Sequence, residues 1–132
     1  MVMTKHLLIA EDDDDMGSLL SLRLTQAGYS VTWTRDGQSA WDAIQKEMPR
    51  VAILDVMMPG MNGFQVLERI KATPKTNSIA VIMLTAKRQP TDLSQGFQAG
   101  ATEYLVKPFK PSELLDRVAS ICPIDPETPP AA

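Results

Sequence analysis

The chain is nearly devoid of cysteine and histidine. One Cys, at position 122, and one His, at position 6, stand among 132 residues. No internal disulfide can form, and no zinc site of the usual nitrogen and sulfur ligands can be built. Such cysteine usage predicts a reducing compartment, here the cytoplasm. Long hydrophobic runs are missing too: no apolar stretch approaches the roughly 20 residues needed to cross a bilayer. The opening MVMTKHLLIA has a short apolar centre that runs straight into acids, unlike a secretory signal. A membrane is therefore not an expected partner. A basic surplus is absent as well. Thirteen Lys and Arg against sixteen Asp and Glu leave a net charge of -3, which argues against direct nucleic-acid binding through phosphate contacts.

What the chain does have is a repeating alternation of short apolar runs and longer amphipathic ones, at a length that suits one domain. HLLIA (6–10), YSVTWT (29–34), VAILD (51–55), IAVIMLT (79–85) and TEYLV (102–106) read as strands. Between and after them lie helical patterns. MGSLLSLRLTQAG (16–28) stops at Gly28, a glycine suited to a helix end. DGQSAWDAIQKEM (36–48) places Trp41 and Ile44 on one side. Asn62 can cap GFQVLERIKA, with Gln65 completing a capping box. Thr91 can cap DLSQGFQA (92–99), and PSELLDRVASIC (111–122) carries proline in its first turn. Five β-α repeats with nearly continuous apolar strands predict a parallel sheet covered by helices on both faces, a doubly wound α/β fold; it is expected in the flavodoxin-like order 2-1-3-4-5, whose switch falls between strands 1 and 3. The folded unit is expected over 4–122. Residues 123–132 hold four of the ten prolines and read as a tail or linker.

Ligands of such sheets sit outside the carboxyl ends of the strands, where the strand order reverses. Four of the five strands end there in a side chain suited to phosphate or metal chemistry: the Glu11–Asp12 pair, Asp55, Thr85 and Lys107. Asp55 poses the sharpest question, because a buried strand gains nothing by ending in an unpaired charge. Three carboxylates at one edge repel one another unless a cation joins them, and a few hard oxygen ligands with room for water suit Mg2+. Lys107 and the Thr85 hydroxyl could then meet phosphate oxygens. A slip of one residue along the first strand would replace Glu11 and Asp12 by Asp12 and Asp13. Asp13 to Asp15 otherwise read as helix-start residues. His6 falls at the opposite edge and is given no catalytic part.

LIAEDD, ILDVMMPGMNGF, VIMLTA and GATEYLVKPF, in that order and spacing, resemble the receiver domain of two-component response regulators, a CheY-like fold, over nearly the whole ordered length. The resemblance implies that Asp55 accepts a phosphoryl group from a histidine kinase or a histidine phosphotransfer protein. It implies that Asp12, Asp55 and the Met57 backbone carbonyl bind Mg2+, with Glu11 acting through metal-bound water. Thr85 and Lys107 would contact the phosphate, and Lys107–Pro108 would be cis. Thr85 and Tyr104 would switch on phosphorylation and reshape the face of the fourth helix, fifth strand and fifth helix for a downstream partner or effector. Kinase docking would fall near Met16 and Leu19. Arg117 fits the dimer face of the winged-helix class of these regulators, whereas Leu93, Gln95 and Thr102 depart from its charge pattern.

The reading is a signalling switch that catalyses only its own phosphorylation and dephosphorylation, not an enzyme acting on other substrates. A degenerate receiver working as a docking module without phosphorylation is the alternative. A flavin-binding protein would need a glycine- and hydroxyl-rich loop where EDDDDMG stands, and a phosphatase would need a general acid where Met57 stands.

Overall fold

The computed structural model of the protein describes residues 5–86 and 100–124. Its five strands are β1 (His6–Ala10), β2 (Ser30–Thr34), β3 (Val51–Asp55), β4 (Ala80–Thr85) and β5 (Glu103–Val106). They form one parallel sheet in the order β2-β1-β3-β4-β5, the doubly wound order expected from the sequence. The described helices are α1 (Asp14–Gln26), α2 (Gly37–Glu47), α3 (Gly63–Ala72) and α4 (Pro111–Ile121). The helix expected over 92–99 lies outside the described residues, together with Leu93 and Gln95.

Helices cover both faces of the sheet because its central strands are apolar on both sides. All five residues of β3 are buried. Leu8, Leu54 and Met83 pack with Trp41, Ile44, Leu67 and Ile70 beneath α2 and α3. Leu7, Ile9, Ile53 and Ile82 pack with Leu20, Leu24, Leu114 and Val118 beneath α1 and α4. Each such side chain, withdrawn fully from water, contributes about 1.5–3 kcal/mol. Ile124 also packs on this second layer.

Local signals account for most element ends. Gly28 has φ of 109°, a left-handed value that lets the chain leave α1 at little cost. Asn62 and Gln65 form the reciprocal capping box at α3. Pro111 opens α4, and Glu113 accepts from the Lys110 N–H. Several boundaries differ from the expected ones by a residue or two, and two of the shifts have a visible cause. α1 starts at Asp14 rather than Met16, because Asp13 takes the cap position and receives the N–H groups of Asp15 and Met16. β2 starts at Ser30 because the Tyr29 N–H returns to the Leu24 carbonyl, closing the helix turn, while its hydroxyl donates to the Cys122 carbonyl at 2.7 Å.

Candidate functional site at the carboxyl edge of the sheet

β1 and β3 are parallel neighbours with Ala10 opposite Leu54, so the next residues, Glu11 and Asp55, arrive at one level. Glu11 is fully buried and Asp55 is 5% exposed, whereas Asp12 is exposed. One carboxylate oxygen from each of Glu11, Asp12 and Asp55 falls within a group no wider than 4.8 Å. Asp13 is turned to the α1 cap instead. Of the two registers the sequence leaves open, this chain folds in the one that brings Glu11 and Asp12 to Asp55.

Asp55 is held on a tight path. A Cβ on Gly63 would overlap the Asp55 carbonyl, so only glycine lets the start of α3 come this close to β3. The Gly63 N–H donates to the Val56 carbonyl at 3.0 Å, and the Met57 N–H to Asp55 Oδ1 at 3.3 Å. The Met57 side chain is 59% exposed at the rim.

The cation comes from the far end of the chain. The Lys107 N–H donates to the Thr85 carbonyl at 2.7 Å, and the Lys107–Pro108 bond is cis, as the resemblance implied. The Lys107 ammonium lies 3.2 Å from both Glu11 oxygens and 3.2 Å from Asp55 Oδ2. Thr85, 2% exposed, ends β4 beside it. Tyr104 is half-buried on β5, opposite Met83, and packs on the α2–α3 layer.

Three carboxylates facing one ammonium leave two negative charges in excess when all are ionised. Burial, and then the neighbouring Asp55 charge, push Glu11 up to about 7 despite the opposing pull of Lys107. Burial works to lower Lys107, but the Asp55 and Glu11 carboxylates outweigh it and hold the ammonium above its ordinary range. A proton on Glu11 relieves only part of the repulsion. A divalent cation would relieve all of it, and an oxygen-only donor set open to water on the Asp12 side suits Mg2+.

One participant is absent from the sequence reading. The Trp33 indole N–H donates to the Glu11 carbonyl at 2.9 Å. Its signal was a glycine inside a helix, Gly17, which usually has a packing reason; here that reason is the Trp33 ring.

The comparisons agree with this geometry. Residues 7–119 match the family described as the response regulator receiver domain. The DNA-binding response regulator MtrA of Mycolicibacterium smegmatis is 35% identical over 116 residues, which are 88% of this chain and 50% of MtrA. The chain thus spans about half the length of such curated relatives. The chemotaxis protein CheY4 of Vibrio cholerae superimposes with a TM-score of 0.85 at 32% identity, over 90% of this chain and 99% of CheY4. The receiver domain of the sensor histidine kinase PA1611 of Pseudomonas aeruginosa, solved with a magnesium ion coordinated in its active-site cleft, superimposes with a TM-score of 0.82 at 27% identity, over 90% of this chain and 98% of that one. Sheet order, acidic cluster and sequence match lead to one conclusion: the chain belongs to the response regulator receiver domain family of two-component signalling.

Proposed function

We propose that Asp55 is the phosphoryl acceptor of a Mg2+-dependent switch, supplied by a histidine kinase or a histidine phosphotransfer protein. The observation that carries this reading is a buried carboxylate at a strand end, 3.2 Å from a lysine that it shares with a second buried carboxylate. An Asp55 oxygen attacks the phosphorus of a phosphohistidine, a P–O bond forms as the P–N bond breaks, and the imidazole leaves. The aspartyl phosphate that results is the signal. Glu11, Asp12, Asp55 and the Met57 carbonyl would hold Mg2+. The ion, when bound, neutralises charge on the transferring group.

Lys107 is already in place to accept the new phosphate. Its ammonium sits on Asp55 Oδ2 and would pass to a phosphate oxygen as the carboxylate charge is spent. Thr85, ending the adjacent strand, donates its hydroxyl to the same group. Its shift toward the phosphate draws Tyr104 inward and changes the face that β5 and α4 present to a downstream partner. Arg117, whose guanidinium is 3.3 Å from Glu103 on that face, is a candidate reporter of the change.

Output is assigned to whatever this face meets. Half-length coverage of MtrA fits a receiver joined to a DNA-binding effector, and full coverage of CheY4 fits output by docking of the receiver surface. In neither case does the acidic receiver itself bind DNA. The test is intact mass after incubation with Mg2+ and acetyl phosphate. One added phosphoryl group that needs both Mg2+ and Asp55, and is lost in Asp55→Asn, supports the reading. A folded, Mg2+-loaded protein that gains nothing overturns it in favour of a docking module independent of phosphorylation.

A further inference from the structure

Both backbone polar groups of Glu11 are tied to consecutive residues of β2. Its N–H donates to the Thr34 carbonyl at 3.0 Å, and its carbonyl receives the Trp33 indole N–H at 2.9 Å. The second bond lies beyond the β1–β2 ladder, which ends at the Ala10 and Thr34 pair. That carbonyl belongs to the peptide plane joining Glu11 to Asp12. Because the plane is rigid, a donor fixing its oxygen also fixes the direction in which the chain enters Asp12.

The indole is itself held in place. A Cβ on Gly17, in the first turns of α1, would overlap the indole ring and its nitrogen, so the missing side chain is the slot the ring occupies. The Arg35 guanidinium lies over the ring, 4.1 Å from its centroid, and its Nε donates to Asp14 Oδ1 at 2.8 Å. α1, β2 and the acidic loop therefore meet at one side chain.

We propose that Trp33 is a positioning residue for the divalent cation: its indole N–H, on a ring packed against Gly17 and Arg35, sets the Glu11–Asp12 peptide so that both carboxylates face the ion together. The inference rests on the Mg2+ reading of the acidic cluster. It predicts that the indole senses occupancy of a site it never touches, and that the acids lose affinity without Trp33 although every ligand remains. Outer-shell partners of metal sites typically govern roughly 10–100-fold in affinity, and a single neutral bond to a backbone carbonyl belongs at the low end.

Two measurements on the full chain test it. The first is the Mg2+ dissociation constant by calorimetry for the parent, Trp33→Phe and Gly17→Ala. About a tenfold weakening is expected in both folded variants, with a lower thermal midpoint for Gly17→Ala, whose Cβ must displace the ring. Trp33→Phe removes the donor, and Gly17→Ala displaces it while adding a better helix former. The second follows the two indole N–H cross-peaks of the nitrogen-15-labelled parent, distinguished with Trp41→Phe. The Trp33 peak should move with Mg2+ and saturate at the calorimetric constant. Folded variants that bind Mg2+ like the parent overturn the inference, as does a stationary Trp33 peak through a titration that calorimetry shows to saturate. If either variant does not fold, the parent's cross-peak alone decides. A parent that binds no Mg2+ overturns the reading of the acidic cluster and this inference with it, and that failure is visible before any variant is made.

Discussion

The two ends of the sheet carry polar clusters of similar size and opposite character. At the amino end, His6 Nε2 lies 2.7 Å from Glu47 Oε1 and its Nδ1 3.0 Å from Ser30 Oγ, while the Thr32 hydroxyl donates to Glu47 at 2.6 Å. At the carboxyl end, Lys107 serves Glu11 and Asp55, with Asp12 close by. The first cluster has one carboxylate facing an imidazole and a hydroxyl, and it is partly open to water. The second sets three carboxylates against one ammonium, and two of those carboxylates are buried. Gathering like charges without enough countercharge is costly, so a fold that does so holds the place of a cation. The unbalanced charge, rather than the mere presence of polar groups, separates the candidate site from a structural brace.

The largest expected effect is all-or-none. Asp55→Asn should abolish phosphoryl uptake from acetyl phosphate, while Glu47→Gln at the other end should leave it at the parental level, both read by intact mass. Uptake by the Asp55→Asn protein would break the comparison. Lys107→Met should come next, because it strands two buried carboxylates. Removing one partner of a buried ion pair costs about 3–5 kcal/mol, and the one-fifth exposure of the lysine places the loss near about 3 kcal/mol in urea unfolding.

The pH dependence sharpens the same contrast. The folded-state value of Glu11, about 7, lies above its ordinary 4.5, so the folded protein holds a proton there that the unfolded chain releases. The contribution is fully present below about 4.5 and is lost as pH rises through about 7. Without Mg2+, the parent should lose up to about 3 kcal/mol relative to Glu11→Gln across that window, by urea unfolding at successive pH values. A flat difference would show that Glu11 ionises freely. The smallest effect belongs to the amino end. Glu47→Ala should cost about 1 kcal/mol or less, as for partly exposed pairs, with no change in Mg2+ affinity. A cost matching that of Lys107→Met would erase the distinction between the two ends.

Sequence reading was strongest where the signal is local. β3, buried throughout, reads directly from the unbroken run VAILD, and α3 matches its expected span because cap, glycine and apolar spacing agree. Reading was weakest at EDDDDM, where five acids in a row carry no hydrophobic period. There the division into Glu11 and Asp12 for the site and Asp13 to Asp15 for the helix start rested on the strand register alone, and the α1 start was misplaced by two residues.

By itself, then, the sequence determined the strand and helix segments, the helix caps and the residue types at the carboxyl edge, because hydrophobic period and capping chemistry act over a few residues. The tertiary structure decided which acids meet Asp55, that Lys107 bridges Glu11 and Asp55, and that Trp33 reaches the Glu11 carbonyl. Those contacts join residues 96, 52 and 22 positions apart in the chain. No local preference encodes them, since they form only when the sheet brings distant strand ends to one level.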